Sequence, residues 1–194
     1  MKISPTLTEV KEIAKTGKYD ILPVSCEILS DFITPIEAMR ILQNVSTHCY
    51  LLESAQANEA WGRYTFLGYD PKLEINCIDG HMKLGKLSVD TQNPSDHISQ
   101  FLSEYKSPKF DYLPSFTGGL VGYFSYDYLG YKEKSIRGKA KDTEDFKDVD
   151  LMLFDKVIAF DNLCQKIILI ANMSLDAPET GYNKAIVELK QLRE

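Results

Sequence analysis

The stretch "DLMLFDKVIAFDNLCQKIILIANM", residues 150–173, limits what this chain can fold into more than any other. Two apolar runs dense in Ile, Leu, Val and Phe flank the short polar turn Asp161-Asn162-Leu163, and such residues fit a pleated, half-buried surface. The spacing predicts an antiparallel hairpin with "DLMLFDKVIAFD" (150–161) as one arm and "CQKIILIANM" (164–173) as the other. Alternation along the first arm assigns Phe154 and the Val157–Ala159 set to defined faces.

More sheet precedes it. "RYTFLGY" (63–69) and "KLEINCI" (72–78) read as strands, and Asp79-Gly80 is the two-residue signal that reverses the chain into "HMKLG" (81–85). "HCYLLES" (48–54) is a strand of the continuous apolar kind that is covered on both faces. "YDILPVSCEI" (19–28) is interrupted by Pro23, which implies an edge or irregular strand. "GGLVGYFSYDYL" (118–129) is a strand rich in glycine and tyrosine, whose glycines let it bend or let a neighbouring backbone approach, with Tyr123 and Tyr126 as packing area.

Helices fall between the strands. Leu7, Val10 and Ile13 have helical spacing, with Gly17 as the stop. Thr34, Pro35 and Glu37 form a capping box with Pro at the first helical position, so a helix runs to about Gln43. Asn93 or Ser95 caps an amphipathic helix carrying Ile98, Phe101, Leu102 and Tyr105. In "YNKAIVELKQLRE" (182–194), Ile186, Leu189 and Leu192 form a stripe that runs uncapped into the last residue, the mark of a cut rather than a finished helix. Between them, residues 131–150 are charged and aperiodic and read as a long mobile loop. The sum is an α+β chain with largely antiparallel sheets and interspersed helices, not a doubly wound parallel sheet.

A net charge of −6 and no clustered Lys and Arg beyond the "KEKSIRGKAK" loop (132–141) argue against a nucleic-acid surface. No signal peptide or membrane-length apolar run is present, so the expectation is a cytoplasmic protein without membrane contact. Cys26, Cys49, Cys77 and Cys164 lack paired spacing and read as reduced core or near-core thiols. His48, His81 and His97 show no metal-ligand spacing, and no nucleophile elbow or complete phosphate-binding loop occurs.

One polar feature stands out. "YLLESA" (50–55) begins as an apolar strand and ends on Glu53 and Ser54 with no turn residue beside them. A strand reaching solvent turns polar in the same way. A rigid strand terminus can also offer a carboxylate to a ligand ammonium and a hydroxyl to a second hydrogen bond, beside the apolar wall Leu51-Leu52. Residue chemistry leaves both readings open.

Four ordered segments together resemble the anthranilate synthase component I family of chorismate-utilising enzymes. They are "LLES" at 51–54; "GRYTFLG" at 62–68, with Thr65 where the family has Ser; Pro114 with Gly118-Gly119, Gly122-Tyr123 and Tyr126-Asp127; and "DLMLFDKVIAFDN" at 150–162, where the family commonly has His in place of Asn162. The resemblance covers the whole chain but only the N-terminal part of the family's length.

It implies that residues 1–194 are the N-terminal regulatory domain of a longer enzyme, inactive alone, whose catalytic half is absent; no catalytic or metal-binding residue is carried over. It also implies that Ser54, then Glu53, with Leu52 as wall, contribute to an L-tryptophan effector pocket completed elsewhere. The intact lyase would convert chorismate and ammonia to anthranilate and pyruvate, with Mg²⁺ held outside this chain and a glutamine amidotransferase (component II) as partner. The alternatives are the N-terminal part of aminodeoxychorismate synthase component I and a self-contained amino-acid-binding module.

Overall fold

A computed structural model describes residues 2–54, 62–133, 135 and 146–194. The elements in chain order are β1 (Ile3–Ser4), α1 (Leu7–Lys15), β2 (Ile21–Leu29), α2 (Pro35–Leu42), β3 (Cys49–Leu52), β4 (Tyr64–Tyr69), β5 (Leu73–Ile78), β6 (His81–Leu84), β7 (Leu87–Asp90), α3 (Pro94–Ser103) and β8 (Gly119–Phe124). A 3₁₀ helix (Tyr126–Tyr131) follows, then β9 (Val149–Phe154), β10 (Lys156–Asp161), β11 (Lys166–Ser174) and α4 (Pro178–Arg193). The strands form a six-stranded sheet, β1-β2-β11-β10-β4-β3, and a five-stranded sheet, β7-β6-β5-β9-β8. Helices set between antiparallel ladders confirm the α+β reading. The chain divides into two compact units, one of Met1–Asp70, Tyr105–Gly118 and Phe154–Glu194, the other of Pro71–Glu104 and Gly119–Leu153.

In the first unit the predicted hairpin closes with Ile158 opposite Leu169 and Ala159 opposite Ile168. Ile158, Phe160, Ile167 and Leu169 pack on the helices through Val10, Ala38, Leu42, Ala185 and Leu189. The alternate residues Val157, Ala159, Ile168 and Ile170 bury the opposite face under Leu113, Phe66 and Phe116. Cover on both faces is why these arms read as unbroken apolar runs. The first arm is nevertheless two strands. It breaks at Asp155, whose carbonyl accepts the Asn172 N–H at 2.8 Å and the Asn172 Nδ2 at 3.0 Å, and β9 belongs to the other sheet.

Pro23 lies in a regular strand. Asn172, directly opposite it, donates its N–H to Asp155, away from β2, so the ladder asks no donor of Pro23. On its other side β1 pairs only with Cys26 and Ser25, which leaves β2 an edge for most of its length. Both early helices begin in complete capping boxes: Thr6 with Glu9, and Thr34 with Glu37, where Glu37 Oε2 accepts the Thr34 N–H at 2.9 Å. Thr34→Ala is expected to cost about 1 kcal/mol in a denaturant melt, with secondary structure unchanged by circular dichroism.

The stripe of the last helix finds its cover within the first unit. α4 starts earlier than the sequence spacing suggests, at Pro178; Leu189 is fully buried, and Ile186 and Leu192 pack against the unit's own core.

In the second unit Asp79 (φ 49°) and Gly80 (φ 85°) form the tight turn between β5 and β6. Tyr131 accepts the Gly80 N–H at 2.7 Å and donates to Asp148 Oδ2 at 2.6 Å, fixing that turn to the strand beside it. The expected 131–150 loop is therefore ordered at both ends, and its middle lies outside the described residues. The glycine-rich strand ends at Phe124 and turns into the 3₁₀ helix. A Cβ on Gly122 would stand 2.0 Å from the Asp150 carbonyl oxygen, so glycine is required by the close approach of a neighbouring backbone. Tyr126, expected to pack, is 87% exposed, and Tyr123 is exposed as well. β7 and the two-residue β1 carry too little periodicity to be legible.

Candidate functional site

β3 is the outer strand of the six-stranded sheet, and the cover on its two faces, over Tyr50 on one and Leu51 on the other, stops before Leu52. Its ladder with β4 ends at Leu52 opposite Phe66. Leu51 pairs with Leu67 and turns to the helix-covered core, whereas Leu52 is 47% exposed. The two leucines therefore face opposite sides and do not form one wall. Glu53 and Ser54 lie just past the last rung, both exposed, and residues 55–61 are outside the described part of the chain.

The residue before them anchors this edge. Tyr50 sits opposite Gly68 in the register, and its ring covers the space where a side chain would be: a Cβ on Gly68 would stand 2.2 Å from Tyr50 Cε1. The ring meets Phe154 edge-on at 4.7 Å and Phe116 at 6.4 Å, and Phe116 in turn meets Phe66 at 5.6 Å. Tyr50, Phe66 with Gly68, Phe116 and Phe154 come one or two apiece from, or directly beside, the four segments singled out in the sequence. Their shared aromatic cluster brings those segments together. Burial pushes the Tyr50 phenol well above its ordinary pKa, and its hydroxyl finds no partner among the described residues.

A charged clamp lies at the start of β4 and the end of β10. Arg63 donates Nε to Asp161 Oδ1 at 3.1 Å and Nη2 to Oδ2 at 2.7 Å, and its guanidinium lies 4.9 Å from the Tyr64 ring centre. Asp161 also accepts the Leu163 and Cys164 N–H groups, at 3.2 and 3.0 Å. Burial works against its charge, but the Arg63 and Cys164 hydrogen bonds prevail and hold its pKa at about 2. Asn162 donates its backbone N–H to the Arg63 carbonyl at 2.9 Å and Nδ2 to Thr65 Oγ1 at 3.3 Å. Thr65 and Asn162, the two departures from the family pattern, are thus in contact.

Gly68, Tyr50, Arg63 and Asp161 were not singled out one by one. A glycine inside a strand and an aspartate at a hairpin end were the available signals, but their partners are far away in sequence. Cys164, expected near the core, is exposed in the β10–β11 turn, while Cys26 and Cys77 are buried. Among the described residues no three His, Cys, Asp or Glu side chains gather as candidate metal ligands. What the edge offers chemically is an exposed carboxylate and an exposed hydroxyl just past the end of a strand.

Among the described residues no helix is long and apolar enough to cross a membrane. No protein-family model matches the chain. The fold is shared with a solved anthranilate synthase component I from Streptococcus pneumoniae TIGR4, with a TM-score of 0.56 and 26% identity over 86% of this chain and 36% of that one. Its class is thus an α+β chain that shares the fold of that component I protein. In sequence it is 35% identical to anthranilate synthase component 1 of Pseudomonas aeruginosa over 96% of its length, and 32% identical to that of Acetivibrio thermocellus over 97%. By sequence and by fold the chain is a relative of the anthranilate synthase component 1 proteins. It spans 38% of the length of either relative.

Proposed function

We propose that this chain serves as the tryptophan-responsive, regulatory part of an anthranilate synthase component 1 and is catalytically inert alone. The observation that carries the reading is a match over nearly the whole chain to proteins of that name, of which it spans 38%. The intact enzyme converts chorismate and ammonia to anthranilate, pyruvate and water, with ammonia from a glutamine amidotransferase partner. When bound, Mg²⁺ would supply charge neutralisation for the chorismate carboxylates, held by residues outside this chain.

Glu53 and Ser54 supply half of the effector site, with Leu52 beside them. An exposed carboxylate at a strand end suits the ammonium of an amino acid, and the adjacent hydroxyl supplies a second hydrogen bond. Feedback requires only that tryptophan bind one arrangement of the enzyme better than another, a coupling of roughly 1–3 kcal/mol.

The chain alone is expected to yield no anthranilate fluorescence from chorismate and ammonia, and sustained turnover would refute inertness. In an intact enzyme carrying this chain, Ser54→Ala should raise the tryptophan concentration for half-inhibition about tenfold, equivalent to a lost hydrogen bond, with uninhibited turnover unchanged. Inhibition that stays the same removes Ser54 from the site. Calorimetry separates the self-contained module from half a pocket: tight tryptophan binding by the chain alone favours the module.

A further inference from the structure

The chain leaves the first unit after Gly118 and re-enters it at Phe154. The same two side chains grip the first unit's ends of both crossings. The Tyr50 ring meets Phe116 at 6.4 Å and Phe154 at 4.7 Å, edge-on in both cases. Asn172 takes the next residue of each segment, donating Nδ2 to the Thr117 carbonyl at 2.6 Å and to the Asp155 carbonyl at 3.0 Å. A side-chain amide carries two N–H groups, so these two carbonyls use the whole donor capacity of Asn172. Its backbone N–H adds a further bond to Asp155 at 2.8 Å.

Tyr50 belongs to the strand that leads to Glu53 and Ser54. β3 has four residues and is laddered to β4 alone. Its side chains reach the interior on two sides: Cys49 and Leu51 enter the helix-covered core, and Tyr50 enters the aromatic cluster at the crossings. Interiors packed at this density pass a displacement on rather than absorb it. A shift of the strand end is therefore felt at Phe116 and Phe154.

We propose that Tyr50 and Asn172 are positioning residues for the tryptophan response: Tyr50 links the strand that bears Glu53 and Ser54 to the two crossing ends, and Asn172 holds those ends together. The inference rests on the proposed function and adds the route by which an occupied strand end acts elsewhere. Neither side chain needs to touch the effector. Their loss changes how much bound tryptophan does, not how tightly it binds.

The test uses an intact enzyme carrying this chain, with kcat/KM for chorismate measured without tryptophan and at saturating tryptophan, and with tryptophan Kd measured by calorimetry without chorismate. Tyr50→Leu and, separately, Asn172→Ala should reduce at least about fivefold the factor by which saturating tryptophan lowers kcat/KM, which is the low end of ordinary allosteric couplings. The tryptophan Kd should be unchanged. Tyr50→Phe keeps the ring and should keep the full factor. Ser54→Ala should do the opposite of Tyr50→Leu, weakening Kd while the factor at saturation stays intact. Thr34→Ala, which lowers stability at the start of α2, should alter neither reading.

A full factor in Tyr50→Leu, with tryptophan still inhibiting, overturns the linkage and leaves the regulatory reading standing; this variant decides where Asn172→Ala does not fold. A weakened Kd with a full factor in Tyr50→Leu makes Tyr50 a ligand contact and overturns the linkage too. An equal loss in Thr34→Ala assigns the effect to stability, with the same consequence. An unaltered enzyme that tryptophan neither binds nor inhibits overturns both the linkage and the regulatory reading.

Discussion

Gly68→Ala is expected to destabilise the six-stranded unit by about 3 kcal/mol in a denaturant melt, the upper range for forcing atoms into a packed core. The added Cβ would meet Tyr50 Cε1 at 2.2 Å, and the ring cannot swing aside because Phe154 and Phe116 enclose it. Tyr50→Ala alone leaves a cavity and costs a similar amount. Made together, the two changes should cost at least about 1 kcal/mol less than their sum, because alanine at 68 then enters vacated space. Strict additivity would show that the ring is not what demands glycine. Tyr50→Phe, which removes a buried hydroxyl with no partner among the described residues, should be neutral or stabilising.

Arg63→Ala is expected to cost about 2 kcal/mol at neutral pH. Breaking a buried pair ordinarily costs about 3–5 kcal/mol, and the lower figure allows for solvent at the arginine. The Arg63 side chain is 36% exposed and that of Asp161 is fully buried. The pH dependence carries the sharper signature. With Arg63 present, Asp161 titrates at about 2 in the folded state against an ordinary 3.8. Its ionised form therefore adds stability above the ordinary value, and that contribution disappears as pH falls through 2.

Without Arg63, burial still works against the charge while only the Leu163 and Cys164 N–H groups favour it, so the folded-state value rises and protonation removes less stability. The stability gap between the two proteins should then narrow from about pH 5 to pH 2, measured by urea midpoints. A gap independent of pH would mean that Arg63 acts through packing on Tyr64 alone.

The elements that were legible in the sequence share a local cause. The Thr34-Pro35-Glu37 start of α2, the Asp79-Gly80 turn and the apolar arms of β10 and β11 are set by caps, φ preferences and burial that act within a few residues. The elements that were misread depend on what lies opposite. "YLLES" and the β10–β11 arms are both apolar runs, yet Leu52 is exposed while β10 and β11 are buried on both faces. Nothing in a run of apolar residues records how far along the strand its cover will extend. The break at Asp155 was hidden for a similar reason, because the Asn172 side chain that marks it comes from another strand. The cover of the α4 stripe was not legible because it is the core of the same unit, assembled from residues far earlier in the chain.

For the candidate site, the sequence by itself determined which residues stand out: a carboxylate and a hydroxyl at the end of an apolar strand, in ordered company with three other segments. Only the tertiary structure decided that the strand is an edge and that Leu51 and Leu52 face opposite ways. It alone revealed that Tyr50 over Gly68 ties the site's strand to β4 and that Arg63 on Asp161 ties β4 to β10. Residue identity is a local property, whereas edge position, facing and cross-strand contact are fixed by packing between segments about a hundred residues apart, as Arg63 and Asp161 are.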